Sequence, residues 1–304
     1  MRAGSKVTER PSSRLRWWRE LAYILAFYAV YTIIRNTQGS ASVSVDHALR
    51  NARSVIRLER SLALFHEQGV QHFFMGHGWR PFISFWDVFY GTAHFVVTAA
   101  ALIWLFRAVP QRYQLWRNTL AVTTALALIG FATFPLMPPR LLSAIDPQYH
   151  FVDTLRVVGG LWSFDSGAMQ KVSNQYAAMP SLHFAWALWS TFVIFPALRA
   201  NWKRALVVAY PVLTLFAIVV TANHYVIDAV GGAAALGVGY VLGSALTAVA
   251  ERRSRKRGRG EAPAPVSTRV AADETDTETE PDRTPASGRD YPEPASPPSA
   301  LGSR

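Results

Sequence analysis

The chain has 304 residues, half of them hydrophobic and only 17% charged, with a net charge of +11. Soluble domains carry about 25% charged residues. Here the charges gather in short blocks between apolar runs of about 20 residues, the length that spans a bilayer, which excludes an ordinary soluble domain and a disordered chain.

The basic residues flank apolar segments, so they act as membrane topology signals and no nucleic-acid partner is expected. The absence of cysteine removes disulfides, thiolate nucleophiles, zinc–cysteine sites and iron–sulfur clusters. The predicted architecture is all-α and polytopic: a bundle of six membrane spans over residues 17–250, preceded by a basic cytoplasmic N-terminus over 1–16. The first span is roughly 17–34, WWRELAYILAFYAVYTII. A cleaved signal peptide is the rival, because a basic stretch precedes a short apolar core. Arg35 and Asn36 after that core, and the lack of a clean A-x-A site, favour an anchored helix.

Residues 41–66 follow, with Val45, Leu49, Ala52, Ile56, Leu62 and Phe65 at helical spacing. Arg50, Arg53, Arg57 and Arg60 fall mostly on another face. This amphipathic helix lies either on the membrane surface or across the mouth of the bundle. The remaining spans are about 82–106, 115–135, 181–198, 204–222 and 224–250, and Pro180 suits the first turn of the fourth. In the sixth, Gly231, Ala235, Gly239 and Gly243 form a small-residue stripe, a helix-packing face. Residues 251–304 begin with ERRSRKRGRG and continue in Pro, Ser, Thr and acid. Such a segment buries too little apolar surface to fold, so a disordered cytoplasmic tail is expected.

Charge sets the orientation. The basic N-terminus, Arg107, Arg112 and Arg117, then Arg199, Lys203 and Arg204, then the block after the last span all fall on one side of a six-helix chain. That side is cytoplasmic. The 136–179 segment and the turn at Asn223 face outward; the arginines of 50–60 break the pattern unless their helix lies flat.

Ionisable residues at membrane depth are costly and mark function. Three clusters map to the outward side: Pro138-Pro139-Arg140, Pro180-Ser181-Leu182-His183, and His224-Tyr225-Val226-Ile227-Asp228. His224 and Asp228 are four apart, close enough on a helix to interact. A carboxylate holds one imidazole nitrogen and leaves the other for chemistry. His183 supplies a general acid from another helix. The start of the fourth helix offers free amides for a phosphate, and Arg140 adds forked donors. Together these suit phosphoryl transfer with no metal and no cofactor. A metal held by His183, His224 and Asp228 is the competing arrangement, but the arginine fits an anion better. Asp87, Tyr90 and His94 share a face of the second span, either lining a lipid pocket or making polar contacts within the bundle.

The order MPPR, PSLHFAW and HYVIDAVGG on six helices resembles the type 2 phosphatidic acid phosphatase superfamily, closest to its inositol phosphorylceramide synthase-like branch. The segment RLERSLALFHE is similar to that branch's region between the first two spans. The resemblance covers roughly residues 17–250. It implies a metal-independent membrane lipid phosphatase or phosphotransferase working through a phosphohistidine. His224 is then the nucleophile, Asp228 its orienting carboxylate and His183 the leaving-group acid, while Arg140 and Ser181 hold the phosphate. The implied partner is a lipid phosphate or phospholipid in a cell membrane, with the site facing outward. Three positions depart from the phosphatase form. Ile218 stands where an Arg precedes the motif His, FATFPLMPP before Arg140 has no cation, and Leu182 replaces a Gly. Arg156 or Lys171 are the candidate replacements for the missing cations, and the acceptor is water or an alcohol. The rival function is a transporter in which His224, Asp228 and His94 relay protons. Its sixth helix is unbroken and no inverted repeat is evident, which counts against it.

Overall fold

The computed structural model describes residues 16–37, 44–76, 80–159 and 175–260. The regular structure there is helical, with no strand among the described residues beyond one isolated bridge, Leu136 to Ala177. The predicted N-terminal stretch before residue 16, the tail after 260 and Lys171 lie outside the described residues.

Among the described residues nine α-helices follow in chain order: α1 (Trp17–Thr37), α2 (Val45–Ser61), α3 (Glu67–Met75), α4 (Arg80–Ala108), α5 (Pro110–Thr133), the single turn α6 (Pro139–Leu142), α7 (Leu182–Ile194), α8 (Asn201–Val220) and α9 (Val226–Gly260). A five-residue π-helical turn spans Leu155–Gly159, and a 3-10 turn, Phe195–Ala197, extends α7. Pro110 opens α5, where its missing N–H costs nothing. Four helices among the described residues are long and apolar enough to cross a membrane: α4, α5, α8 and α9 over Val226–Ser254, with α7 a shorter apolar helix. The sixth predicted span therefore begins two residues later than its sequence suggests, and His224 sits in the turn before it.

Lipid gives helices no hydrophobic reason to associate, so close approach and polar bonds must hold the bundle. The glycines of α9 allow that approach. A side chain at Gly239 would collide with Thr123 of α5, and a Cβ at Gly243 would lie 2.7 Å from the Thr119 nitrogen. Beside them the Asn118 amide donates to Thr247 Oγ1 at 2.9 Å. Leu105, Trp116, Trp189 and Leu236 close the core among α4, α5, α7 and α9, with the Trp189 indole N–H donating to the Trp116 carbonyl. On the other side of α5, Arg117 pairs with the buried Glu20 of α1.

The end of the bundle where α2 and α3 lie is built differently. α2 buries Ala48, Leu49, Ala52, Val55 and Ile56 against Leu136, Met137, Tyr149, Phe151 and Tyr225. Arg50, Arg53, Arg57 and Arg60 remain exposed. Val45 and Leu62, counted in the apolar stripe from spacing alone, are also exposed, because they lie at the helix ends beyond that contact. The Arg53 guanidinium donates to Asp146 at 2.7 Å. α3 holds the same segment: the Gln71 side chain donates to the Val152 carbonyl and accepts from the Val152 N–H. The segment after α5 is thus strapped down by two short helices.

Candidate active site

The last turn of α8 sets the position of His224. Ala222 adopts a left-handed backbone, φ 53°. The Asn223 N–H reaches back to the Ile218 carbonyl at 3.0 Å and the Ala222 N–H to Val219 at 2.9 Å. This is the double-bonded helix ending usually made with glycine. The Ile218 side chain, where a cation was expected, is fully buried, and its carbonyl also receives the His224 N–H at 3.2 Å.

The His224 ring is buried and its two nitrogens are unlike. Nδ1 lies 2.8 Å from the Ala178 carbonyl oxygen and 3.3 Å from Asp228 Oδ2. A carbonyl only accepts, so Nδ1 carries the hydrogen. In the neutral ring Nε2 then bears the lone pair. No protein group takes Nε2 among the described residues. The carbonyl is the nearer of the two partners that fix the tautomer. Asp228 sits in the first turn of α9, and the same Oδ2 accepts the Tyr225 N–H at 2.9 Å.

The other predicted residues gather around this ring. His183, in the first turn of α7, has its ring centre 5.5 Å from that of His224. Tyr90 stacks on it at 4.1 Å, and His94 meets it edge-on at 4.2 Å. The Tyr90 carbonyl accepts from His94 Nδ1 at 3.0 Å. The shared face of α4 therefore packs on the candidate general acid. Asp87, on the same face, accepts from the Thr154 hydroxyl at 2.8 Å and ties α4 to the segment after α6.

Arg140 lies in α6, its backbone N–H donating to the Ala222 carbonyl at 2.8 Å. That bond places the arginine beside the turn that carries His224. Its Nη1 pairs with Asp153 at 3.0 Å, while its Nε is buried without a partner among the described residues. Arg156 is exposed on the π-helical turn. Ser181 is buried and caps α7, its Oγ accepting the Phe184 N–H at 3.4 Å. That contact uses a lone pair and leaves the hydroxyl hydrogen for another acceptor. No acceptor among the described residues takes the amides of Leu182 and His183.

Backbone bonds assemble these pieces. Leu136 N–H donates to Tyr176, bringing the segment before Arg140 against that before Ser181. Ser181 N–H donates to the Asp228 carbonyl at 2.9 Å, joining the starts of α7 and α9. The Tyr225 hydroxyl donates to the Met137 carbonyl at 3.0 Å. Among the described residues no three His, Asp or Glu side chains are grouped to hold a metal ion.

Sequence spacing did not reveal two carboxylates. Glu59 of α2 and Glu67 of α3 are both fully buried. Glu59 accepts the Ile227 N–H at 2.7 Å and Glu67 the Val226 N–H at 2.9 Å. A signal existed: Glu59 lies seven, four and three residues after Ala52, Val55 and Ile56, on the buried stripe of an otherwise arginine-faced helix.

The sequence profile of the PAP2 superfamily matches residues 53–242, more than half of the chain and every residue of the site above. No curated protein and no solved structure matches the chain.

Proposed function

Because the chain belongs to the PAP2 superfamily, we propose that this membrane protein transfers or hydrolyses a phosphoryl-containing group on a lipid through a phosphohistidine. The observation that carries the proposal is the tautomer of His224. Its Nδ1–H is held by a carbonyl, and a lone pair on Nε2 faces no protein partner. His224 Nε2 forms the P–N bond while the P–O bond to the leaving alcohol breaks. His183 delivers the proton that the departing oxygen takes. Water or an alcohol then attacks phosphorus, returns its proton to His183, and the P–N bond breaks. Asp228 stabilises the ring as positive charge develops on it. Arg140 and the open amides of α7 draw charge from the phosphoryl oxygens, and Ser181 adds its hydroxyl hydrogen.

The surroundings support a lipid as the substrate. An open groove of about 460 Å³ is lined by Phe65, Val70, Phe73 and Phe74. Val70 also packs with Tyr90, Phe184 and Val226 beside the site. An acyl chain fits this groove while the head group reaches His224. The lack of a cation at Ile218 and before Arg140 aligns the chain with the inositol phosphorylceramide synthase-like branch, which favours an alcohol acceptor. Six spans, cytoplasmic termini and an outward site in the cell membrane complete the proposal. The transporter alternative has no comparable support.

The test is incubation of purified protein with lipid phosphates and phospholipids, with and without a polyol acceptor, in the presence of a chelator. Transfer to the polyol is the expected result. Free phosphate alone would make the protein a phosphatase, and silence with every lipid would refute phosphoryl chemistry. Reporter fusions after Arg117 and after Gln170 should report opposite sides of the membrane.

A further inference from the structure

The start of α9 is closed by carboxylates from three helices. Tyr225, Val226 and Ile227 each donate a backbone N–H, to Asp228, Glu67 and Glu59 respectively. The acceptors for Val226 and Ile227 come from α3 and α2, more than 150 residues earlier. Successive amides at a helix start lie only a few ångströms apart, so the two glutamates are forced together. Both are fully buried, and the second oxygen of each has no hydrogen-bond partner among the described residues. Two adjacent buried carboxylates cannot both ionise without repelling one another.

We propose that Glu59 and Glu67 are a proton-sharing positioning pair: one proton held between them lets both carboxyls accept from the first amides of α9 and so fixes the turn that carries His224. The pair does not touch substrate. It acts through the backbone of residues 225–227, directly after the nucleophile. The positive end of α9 favours negative charge there, so one net negative charge is retained while the second is neutralised.

Burial, and then the neighbouring Glu67 charge, push the Glu59 carboxyl up from its ordinary 4.5 to about 8. The groups facing it are Glu67 from α3 and Tyr225 and Asp228 from the α9 start. The arginines of α2 point to solvent. The sign follows from proton linkage. The folded state keeps a proton that the unfolded chain releases above about 4.5. Stability from this pair is greatest below that pH, declines as the pH rises towards about 8, and is level beyond it. Above that point Glu59 has lost the proton and its charge repels those of its neighbours at the α9 start.

The inference rests on the proposed role of His224, and its test has an arm that does not. Glu59→Gln keeps an oxygen to accept the Ile227 N–H and cannot ionise. Glu59→Ala removes the acceptor. In detergent-purified full chain, thermal unfolding is measured from pH 5 to 9 for wild type and Glu59→Gln. The advantage of the variant is expected to grow with pH and level off near pH 8. In parallel, phosphohistidine formation from a phosphate-labelled lipid is followed over the same range. The wild type should fall off through about pH 8, Glu59→Gln should lack that limb, and Glu59→Ala should form label at least tenfold more slowly at every pH. Parallel unfolding profiles in wild type and Glu59→Gln would overturn the shared proton. A wild-type rate in Glu59→Ala would overturn the positioning role. If no protein forms label but the unfolding profiles diverge as expected, the phosphohistidine proposal fails and the proton pair stands.

Discussion

The two helices that meet at the site begin in opposite ways. α9 has its first three free amides taken by carboxylates, two of them imported from α2 and α3. α7 has one amide capped by its own Ser181, and those of Leu182 and His183 are open. A helix start is an anion site by virtue of its free N–H groups and its dipole. The α9 start has spent that capacity on holding a histidine still. The α7 start keeps it, next to His183 and within reach of Arg140's neighbourhood. The same backbone feature is therefore occupied beside His224 and, among the described residues, left open beside His183, where the proposed function needs an anion site.

The proposed nucleophile lies on the closed side, and His224→Ala tests that first. Loss of phosphohistidine, with activity down about a thousandfold or more, is expected in rapid-quench labelling. Label surviving in that variant would move the chemistry to the open side, onto His183. Next is the charge that serves the open side. Arg140→Lys keeps the charge but not the fork of donors. It should cost about a hundredfold in kcat/KM, with little change in unfolding temperature if the bond to Asp153 persists.

Ser181→Ala sharpens the contrast further. It removes the Ser181 cap on α7, worth about 1 kcal/mol, and takes a hydroxyl from the proposed phosphate site. Calorimetry should show that loss, and KM should rise more than kcat falls. The smallest effect is expected at Ala222. A left-handed backbone costs an L-residue about 1–2 kcal/mol, against the greater freedom glycine loses on folding, about 0.5–1 kcal/mol. Ala222→Gly should therefore raise the unfolding temperature slightly and leave the rate unchanged, because the turn and its bonds to Ile218 and Arg140 persist.

Much of this site was legible in sequence because its chemistry is carried by rare residue types at membrane depth. His183, His224, Asp228 and Arg140 stood out for that reason, and the structure brings all four together. What stayed hidden was held by groups that sequence does not advertise. The nearest partner of His224 is a backbone carbonyl, at Ala178, and every residue has one. Ile218 looked like a missing cation, yet its carbonyl closes the turn under His224. Glu59 was hidden because four arginines dominate α2, Glu67 fell just beyond the 41–66 segment, and the targets of both lie far along the chain. Four of the spans, those of α4, α5, α8 and α9, were legible by hydropathy. The exact start of α9 was not, since Tyr225 precedes the helix and its N–H bonds to Asp228.

The contact between α7 and α9 has one more implication. Ser181 N–H binds the Asp228 carbonyl, and any side chain at Gly232 would strike the Ser181 carbonyl. The helix starts that carry the two histidines are thus joined main chain to main chain, and Glu67 and Glu59 pin the α9 side of that joint from α3 and α2. A methyl group at residue 232 would have to push the two backbones apart. The helix that carries Glu67 also lines the apolar groove with Val70, Phe73 and Phe74. A change that shifts this helix therefore shifts the backbone next to His224 as well, so groove and site cannot drift apart in evolution.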